Sequence, residues 1–198
     1  MSVPAESDAD AAALPDGRRL ILDCCVLLNL YATRRIAEIL RTLPAPCAVA
    51  SIVHDREAMW VGRGPRTGPG ADHERVDLAP LVSAGLLEVL SLSADEEYER
   101  FVALASSLGD GEAMSGALAH SRQLTVATDD RAAVAEFDRQ VPPIRTRSTT
   151  SVVKHWARCA HADSPSLRGV LVNIRERGRF EPGPHDPLHG WWRAALAA

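Results

Sequence analysis

A chain of 198 residues carries enough material for a full hydrophobic core and reads as one domain. Its hydrophobic content of 46% excludes a disordered chain, and no apolar run approaches the roughly 18–20 residues that span a bilayer. The formal charge of −4 traces to Glu6, Asp8, Asp10 and Asp16 at the start; past residue 17 the chain holds 22 acidic and 22 basic residues.

Residues 1–17, rich in Ala, Asp and Ser, are expected to be a disordered tail. They have neither a basic n-region nor an apolar h-region, so a cytoplasmic location is the default expectation. Cys24, Cys25, Cys47 and Cys159 contain no C-x-x-C pair and read as reduced, mostly buried thiols. A first strand is predicted over residues 19–24. A helix with apolar positions Leu27, Leu30, Ile36, Ile39 and Leu40 follows, punctuated by Pro44 and Pro46. Residues 47–50 read as a short buried strand, and Ser51 as the N-cap of a helix running through Trp60. The glycine-rich stretch 62–70 is expected to be a flexible loop carrying Arg63 and Arg66.

Residues 85–92 alternate as a strand. Ser93 with Glu96 matches a capping box, and Tyr98, Phe101, Val102, Ala105 and Leu108 mark the apolar face of the helix it opens. Asp110 is the expected N-cap of a helix over 111–121. Residues 124–127 form a strand, Asp129 or Asp130 caps a helix through Arg139, and residues 142–146 give a last short strand. Helices over 150–159 and 165–177 follow, the second with Ser164 as N-cap, Pro165 at N1 and Gly178 at C′. Strands alternating with helices predict an α/β fold in three layers, a central parallel sheet flanked by helices, with the ligand site at the carboxyl edge of the sheet.

The acidic residues fall where such a site would lie. Asp23 ends the first strand, and Asp129 and Asp130 follow another, so all three emerge on one edge of a parallel sheet. Glu112 opens the helix before that second strand, and Glu57 lies on the helix after residues 47–50. Singly, Asp110, Asp129 and Asp130 read as N-caps, Glu112 as a charge complementing a helix dipole, and Glu57 as a solvated residue. Asp23, set between an apolar strand and an apolar helix, resists that reading. Together the carboxylates would suit a hard divalent cation. Neutralising them with metal would leave a net basic surface. All the basic residues except Lys154 are arginine, the side chain suited to phosphate, although genome composition accounts equally well for that usage.

These motifs resemble the PIN-domain family of metal-dependent nucleases, which includes toxin subunits of bacterial toxin–antitoxin pairs. The matching segments are LILDCCVLLNL (20–30), Glu57 in SIVHDREA, GDGEAMSGALAH (109–120) and TVATDDRAA (125–133), in the family's order over about residues 19–149. The resemblance implies a PIN-like nuclease domain over 18–149, with the helices of 150–198 packing on the same domain. It implies that Asp23, Glu57, Glu112 and Asp129 or Asp130 hold Mg²⁺ or Mn²⁺ and that Asp23, Glu57, Glu112 and Asp130 carry the catalysis. Water would attack in line at phosphorus, cutting RNA without a Ser or Cys nucleophile. An antitoxin partner and a homodimer are further expectations of the resemblance. Arg56, Arg63, Arg66 and Arg131, near these motifs in sequence, are the candidate phosphate contacts.

Two residues depart from the family's pattern. Cys25 stands where Ser, Thr or Asn is usual, and a thiol is a poorer hydrogen-bond partner. Met114 stands where this bacterial branch often has a second Glu. The alternatives are a non-catalytic PIN-like module that binds RNA or protein, and a metal-dependent phosphatase acting on small molecules. A zinc site at Cys159, His161, His185 and His189 has loose spacing. Trp191 and Trp192 read either as an anchor for a partner or as the residues that dock the last helix.

Overall fold

The strands Leu20–Leu22 (β1), Cys47–Ala50 (β2), Leu87–Leu90 (β5), Thr125–Ala127 (β6) and Thr146–Arg147 (β7) form a sheet in the order β5-β2-β1-β6-β7. Every pairing in it is parallel. A separate antiparallel hairpin joins Trp60–Gly62 (β3) to His73–Arg75 (β4). The protein is seen in a computed structural model that describes residues 18–64 and 72–197. The tail 1–17 and Arg66 therefore lie outside the described residues. Helices flank the sheet in the expected three-layer α/β arrangement: Cys24–Ala32 (α1), Ile36–Arg41 (α2), Ala79–Ser83 (α3), Asp95–Ala105 (α4), Asp110–Arg122 (α5), Arg131–Arg139 (α6), Thr149–Cys159 (α7), Ser164–Asn173 (α8) and His189–Ala197 (α9). Among the described residues no helix is long and apolar enough to cross a membrane.

β1, β2 and β6 are buried at every position, which is why they read as unbroken apolar runs rather than alternating ones. From β1 the chain builds outward through β2 to β5, then returns to the other side of β1 for β6 and β7. The reversal falls between β1 and β6, and the carboxyl ends of these neighbours are tied together where the Asp23 amide donates to the Ala127 carbonyl at 3.0 Å. In open α/β sheets the ligand crevice lies at such a switch point.

Several local expectations are corrected. The helix after β1 is two helices: the Thr33 hydroxyl donates to the Leu30 carbonyl and Arg34 turns left-handed at φ 61°, ending α1 before α2 starts. The helix through Trp60 stops at a π-type turn, Val53–Glu57, and Trp60 instead opens β3. Ser51 does not cap it; its hydroxyl faces the Met114 sulfur at 3.8 Å. The loop expected over 62–70 begins as the end of β3. The capping partner of Ser93 is Glu97, whose Oε2 accepts from the Ser93 amide at 2.8 Å, because Glu97 is the buried one of the adjacent glutamates. Gly109 rather than Asp110 is the N-cap of α5, and Asp163 rather than Ser164 caps α8, accepting from the Ser166 amide at 2.9 Å. The last strand is Thr146–Arg147, beyond the prolines, which have no N–H to donate to a ladder.

α8 continues into a π-type turn, Ile174–Gly178, and Arg179 takes the left-handed position at φ 59°. Gly178 is small for a different reason than a C′ position: a Cβ there would lie 2.7 Å from Oδ1 of Asn29. Arg177, buried in this turn, reaches three elements. Its guanidinium donates to the Gly62 carbonyl in β3 at 3.0 Å and to the Ala32 carbonyl at the end of α1, and it pairs with Glu74 in β4. The hairpin is thus fastened to the domain. At the C-terminal end Trp192 is fully buried and meets Phe180 edge-on at 5.9 Å, so it docks α9 onto the fold.

Candidate functional site

The site is built at the mouth of the β1–β6 crevice. Asp23 is 2% exposed and is the N-cap of α1. Its Oδ1 accepts from the Cys24 amide at 2.8 Å, and its Oδ2 accepts from the Thr128 hydroxyl at 2.8 Å and the Cys25 thiol at 3.3 Å. A carboxylate offers about four lone pairs, so Oδ1 keeps one for a further partner. Burial is the main reason its carboxyl is pushed above the ordinary range; the charge of Asp130 adds to it.

The other carboxylates come from separate elements. Glu57 closes the π-type turn after β2 and sits at the exposed rim, where it accepts from the Gly111 amide at the start of α5. A Cβ on Gly111 would collide with that carboxylate, so the glycine is what lets Glu57 approach the helix end. Glu112 lies in the first turn of the same helix, its carboxylate beside Gly109 and its own amide. Partial burial raises both glutamates, and each also feels Asp23. Asp130 caps α6 by accepting from the Ala133 amide at 2.8 Å, and its charge bears on both Asp23 and Glu112. Cys24 faces the same group: burial, then the charges of Glu57, Asp23 and Glu112, push its thiol up to about 12.

Asp129 faces the other way. Its Oδ1 accepts from the Thr149 amide at 2.8 Å; its Oδ2 accepts from the Thr149 hydroxyl at 2.6 Å and the Asn29 side chain at 3.1 Å. Burial pushes it up to about 6 despite these donors. It joins α1, β6 and α7 while Asp130 joins the cluster. The Thr128 hydroxyl links them, donating to Asp23 and accepting from the Asp130 amide at 3.1 Å. Cys25 takes part in the same lattice, its sulfur accepting from the Asp129 amide at 3.3 Å.

Among the described residues none of Asp23, Glu57, Glu112 and Asp130 makes an ion pair with a Lys, Arg or His. Nor are three His, Cys, Asp or Glu side chains drawn together into a finished metal cage. Carboxylate oxygens from four elements repel one another here, and among the described residues no cationic side chain pairs with them; oxygen donors of this type are the ones a hard cation takes.

The candidate phosphate contacts separate. Arg56 is exposed beside Glu57. Arg63 is held at the far end of the hairpin from Trp60, donating to the His73 carbonyl at 3.2 Å and lying 3.6 Å from Asp72. Arg131 follows Asp130 and lines a cavity of about 1050 Å³ together with Arg147, Ser148, Phe180, His185 and Asp186. Of the loosely spaced zinc candidates, His185 is in that cavity and Cys159 lies 3.4 Å from His155.

Thr128, Asn29, Thr149, Cys24 and Gly111 are the residues that sequence reasoning passed over. Asn29 is a polar residue inside an apolar helical run, 3% exposed, and that was its signal. Thr128 and Gly111 lie inside the quoted motifs, but their roles follow only from which elements become neighbours. Comparison with family models, with curated proteins and with solved structures finds no match to this chain.

Proposed function

We propose that this protein is a Mg²⁺- or Mn²⁺-dependent ribonuclease of PIN-like type. The observation that carries the reading is the convergence of Asp23, Glu57, Glu112 and Asp130 on the switch point of the parallel sheet with no cationic partner among the described residues. The order of the motifs that supply them supports the same reading.

Asp23, Glu57, Glu112 and Asp130 would hold the ion. When bound, it supplies activation of a water molecule and compensation of the charge that develops at phosphorus. The rest of the work belongs to the chain. Thr128 and Cys25 hold Oδ2 of Asp23, leaving Oδ1 with the Cys24 amide and one lone pair for the ion. The Gly111 amide orients Glu57, and the α5 N-terminus stabilises both glutamates in their charged form. Asp129, Asn29 and Thr149 brace the β6–α6 turn that carries Asp130. Exposed Arg56 and Arg131, each next in sequence to a cluster carboxylate, would meet the phosphates. A role as the toxin of a toxin–antitoxin pair, and a homodimer, belong to the same proposal.

One observation favours a second reading, a non-catalytic RNA- or protein-binding module. The buried oxygen Oδ2 of Asp23 is already filled by Thr128 and by the weaker thiol donor Cys25, leaving only Oδ1 for an ion. The two readings part in one experiment: incubation of a mixed RNA pool with Mn²⁺, Mg²⁺ or EDTA, using the protein and Asp23→Asn purified alike. Metal-dependent cleavage lost in the variant is the expected result. Absence of cleavage with every metal, from protein that still binds RNA, would favour the module.

A further inference from the structure

We infer that the β3–β4 hairpin is a stacking platform for single-stranded RNA, with Trp60 receiving a base and Arg75 and Arg56 meeting the backbone on either side of it. This rests on the ribonuclease reading and names the form of substrate it takes.

Trp60 is 56% exposed, whereas Trp156 and Trp192 are fully buried and Trp191 is half-buried against the core. Its neighbour Met59 is 38% exposed. An indole left in water offers a large flat apolar face to a partner. Position makes this one informative. β3 starts three residues after Glu57, and three residues of chain span at most about 11 Å. A base on Trp60 would therefore belong to a nucleotide next to the one whose phosphate faces the carboxylates.

Charge selects the occupant. In the antiparallel register Trp60 stands directly opposite Arg75, so the two side chains share a face, and both are exposed. Arg56 is exposed beside Glu57. Among the described residues neither Arg56 nor Arg75 makes an ion pair or a side-chain hydrogen bond. A protein or second copy seated on Trp60 would have to bury these guanidiniums or supply acids to them; a phosphate backbone supplies an anion at every nucleotide. Stacking on an aromatic ring tolerates any base, which suits single strands.

The two strands are tied to the fold. Arg177 clasps both strands, through the Gly62 carbonyl and Glu74, and ties them to the end of α1. The ladder extends beyond the strands through Val76 N–H to the Met59 carbonyl at 2.9 Å and Arg63 N–H to the Asp72 carbonyl at 3.0 Å. Trp60 is thus presented on a hydrogen-bonded strand rather than a loop, where stacking a base requires little ordering of the chain.

The test is binding of a fluorescein-labelled oligouridylate of about 12 nucleotides, within the footprint usual for single-strand binders. The full chain is used in EDTA, so that affinity is read without cleavage. The expected result is quenching of tryptophan emission on binding and an affinity about tenfold or more weaker in Trp60→Ala. Trp60→Phe should retain most of the affinity. Arg75→Ala should flatten the salt dependence by about one phosphate contact. Because Trp60 is exposed, unchanged thermal unfolding of the variant checks that it folds. The inference is overturned if Trp60→Ala binds within twofold of the parent, if the oligonucleotide does not bind, or if duplex RNA binds with the same dependence on Trp60. A concentration-dependent dimer that dissolves in Trp60→Ala while RNA affinity stays unchanged would also overturn it, assigning the face to a second copy. Trp60-dependent binding by a protein that cleaves nothing would sink the ribonuclease reading and leave the platform standing. Cleavage of long single strands unchanged by Trp60→Ala would do the reverse.

Discussion

Asp129 and Asp130 are adjacent and chemically identical, yet their surroundings give them different work. Asp129 accepts three hydrogen bonds from Thr149 and Asn29, whereas Asp130 caps α6 and bears on Asp23 and Glu112. Asn at 129 would turn a donor toward the Asn29 donor and leave buried hydrogen-bonding capacity unmet, so Asp129→Asn should cost about 1–3 kcal/mol of stability. Asn at 130 keeps a good N-cap, so Asp130→Asn should unfold within about 0.5 kcal/mol of the parent and lose metal-dependent cleavage. Urea denaturation beside a cleavage assay checks both, and equal stability of the two variants would contradict the division. Gly111 is the second sensitive position. Gly111→Ala would push the Glu57 carboxylate off the α5 N-terminus. The expected outcome is at least about a tenfold loss of Mn²⁺ affinity by calorimetry, the scale of losing a residue that orients a ligand. Unaltered affinity would mean that Glu57 does not ligate.

At the scale of elements, α4 and α5 are joined by a pair far from the cluster. Arg122 in α5 grips buried Glu97 in α4 through two bonds, of 2.7 and 2.9 Å, while the Ser93 amide adds a third donor. The Arg122 hydrogen bonds hold the Glu97 carboxyl down to about 2. A lowered value in the folded state contributes stability above the ordinary carboxylate range and loses it as pH falls from about 4.5 to 2. Arg122→Ala should therefore cost about 2–4 kcal/mol near neutrality, less than for a fully buried pair because the guanidinium is partly solvated. The penalty should shrink on acidification through that window. Chemical denaturation at several pH values reads both, and a penalty constant down to pH 2 would exclude the pair as its source. α5 carries Gly111 and Glu112 at its other end, so this pair anchors the helix that presents them to the carboxylate cluster.

For the whole molecule, the proposed metal binding would set a tension with stability. Burial first, and mutual charge second, raise Asp23, Glu57 and Glu112. Groups raised in the folded state contribute most below their unfolded values and lose that contribution as pH rises through the folded ones. Without metal, their contribution to stability should thus decline from about pH 4 upward, and Asp129 adds a similar decline from 3.8 to about 6. Metal binds the deprotonated carboxylates, so its stabilising effect should grow over the same range. At about 100 times the Kd, Mn²⁺ should raise the Tm by about 5–10 °C at pH 7.5 and by much less at pH 5. EDTA should reverse the shift, and Asp23→Asn should abolish it. An equal shift at both pH values, measured by differential scanning fluorimetry, would argue against carboxylate ligation.

What the sequence by itself determined was local and apolar. Cys47–Ala50 is a strand with the bounds that its buried run predicts, and the parallel sheet with helices on its faces follows from the alternation of such runs. That Asp23 and the Asp129–Asp130 pair leave one edge of the sheet was legible too, because each directly follows a strand. Only the tertiary structure decided what each residue touches there. Thr128 reaches Asp23 across 105 positions and Asn29 reaches Asp129 across 100, distances at which no periodicity carries information. Neighbours of like type were the other ambiguity. Glu96 and Glu97, Asp110 and Gly109, and Ser164 and Asp163 fit the same local rules; packing chose Glu97 by burying it, and the helix starts were fixed one residue earlier, at Gly109 and Asp163. Local propensity depends on a few adjacent residues, whereas a site depends on strand order, and strand order is settled only when the whole core closes.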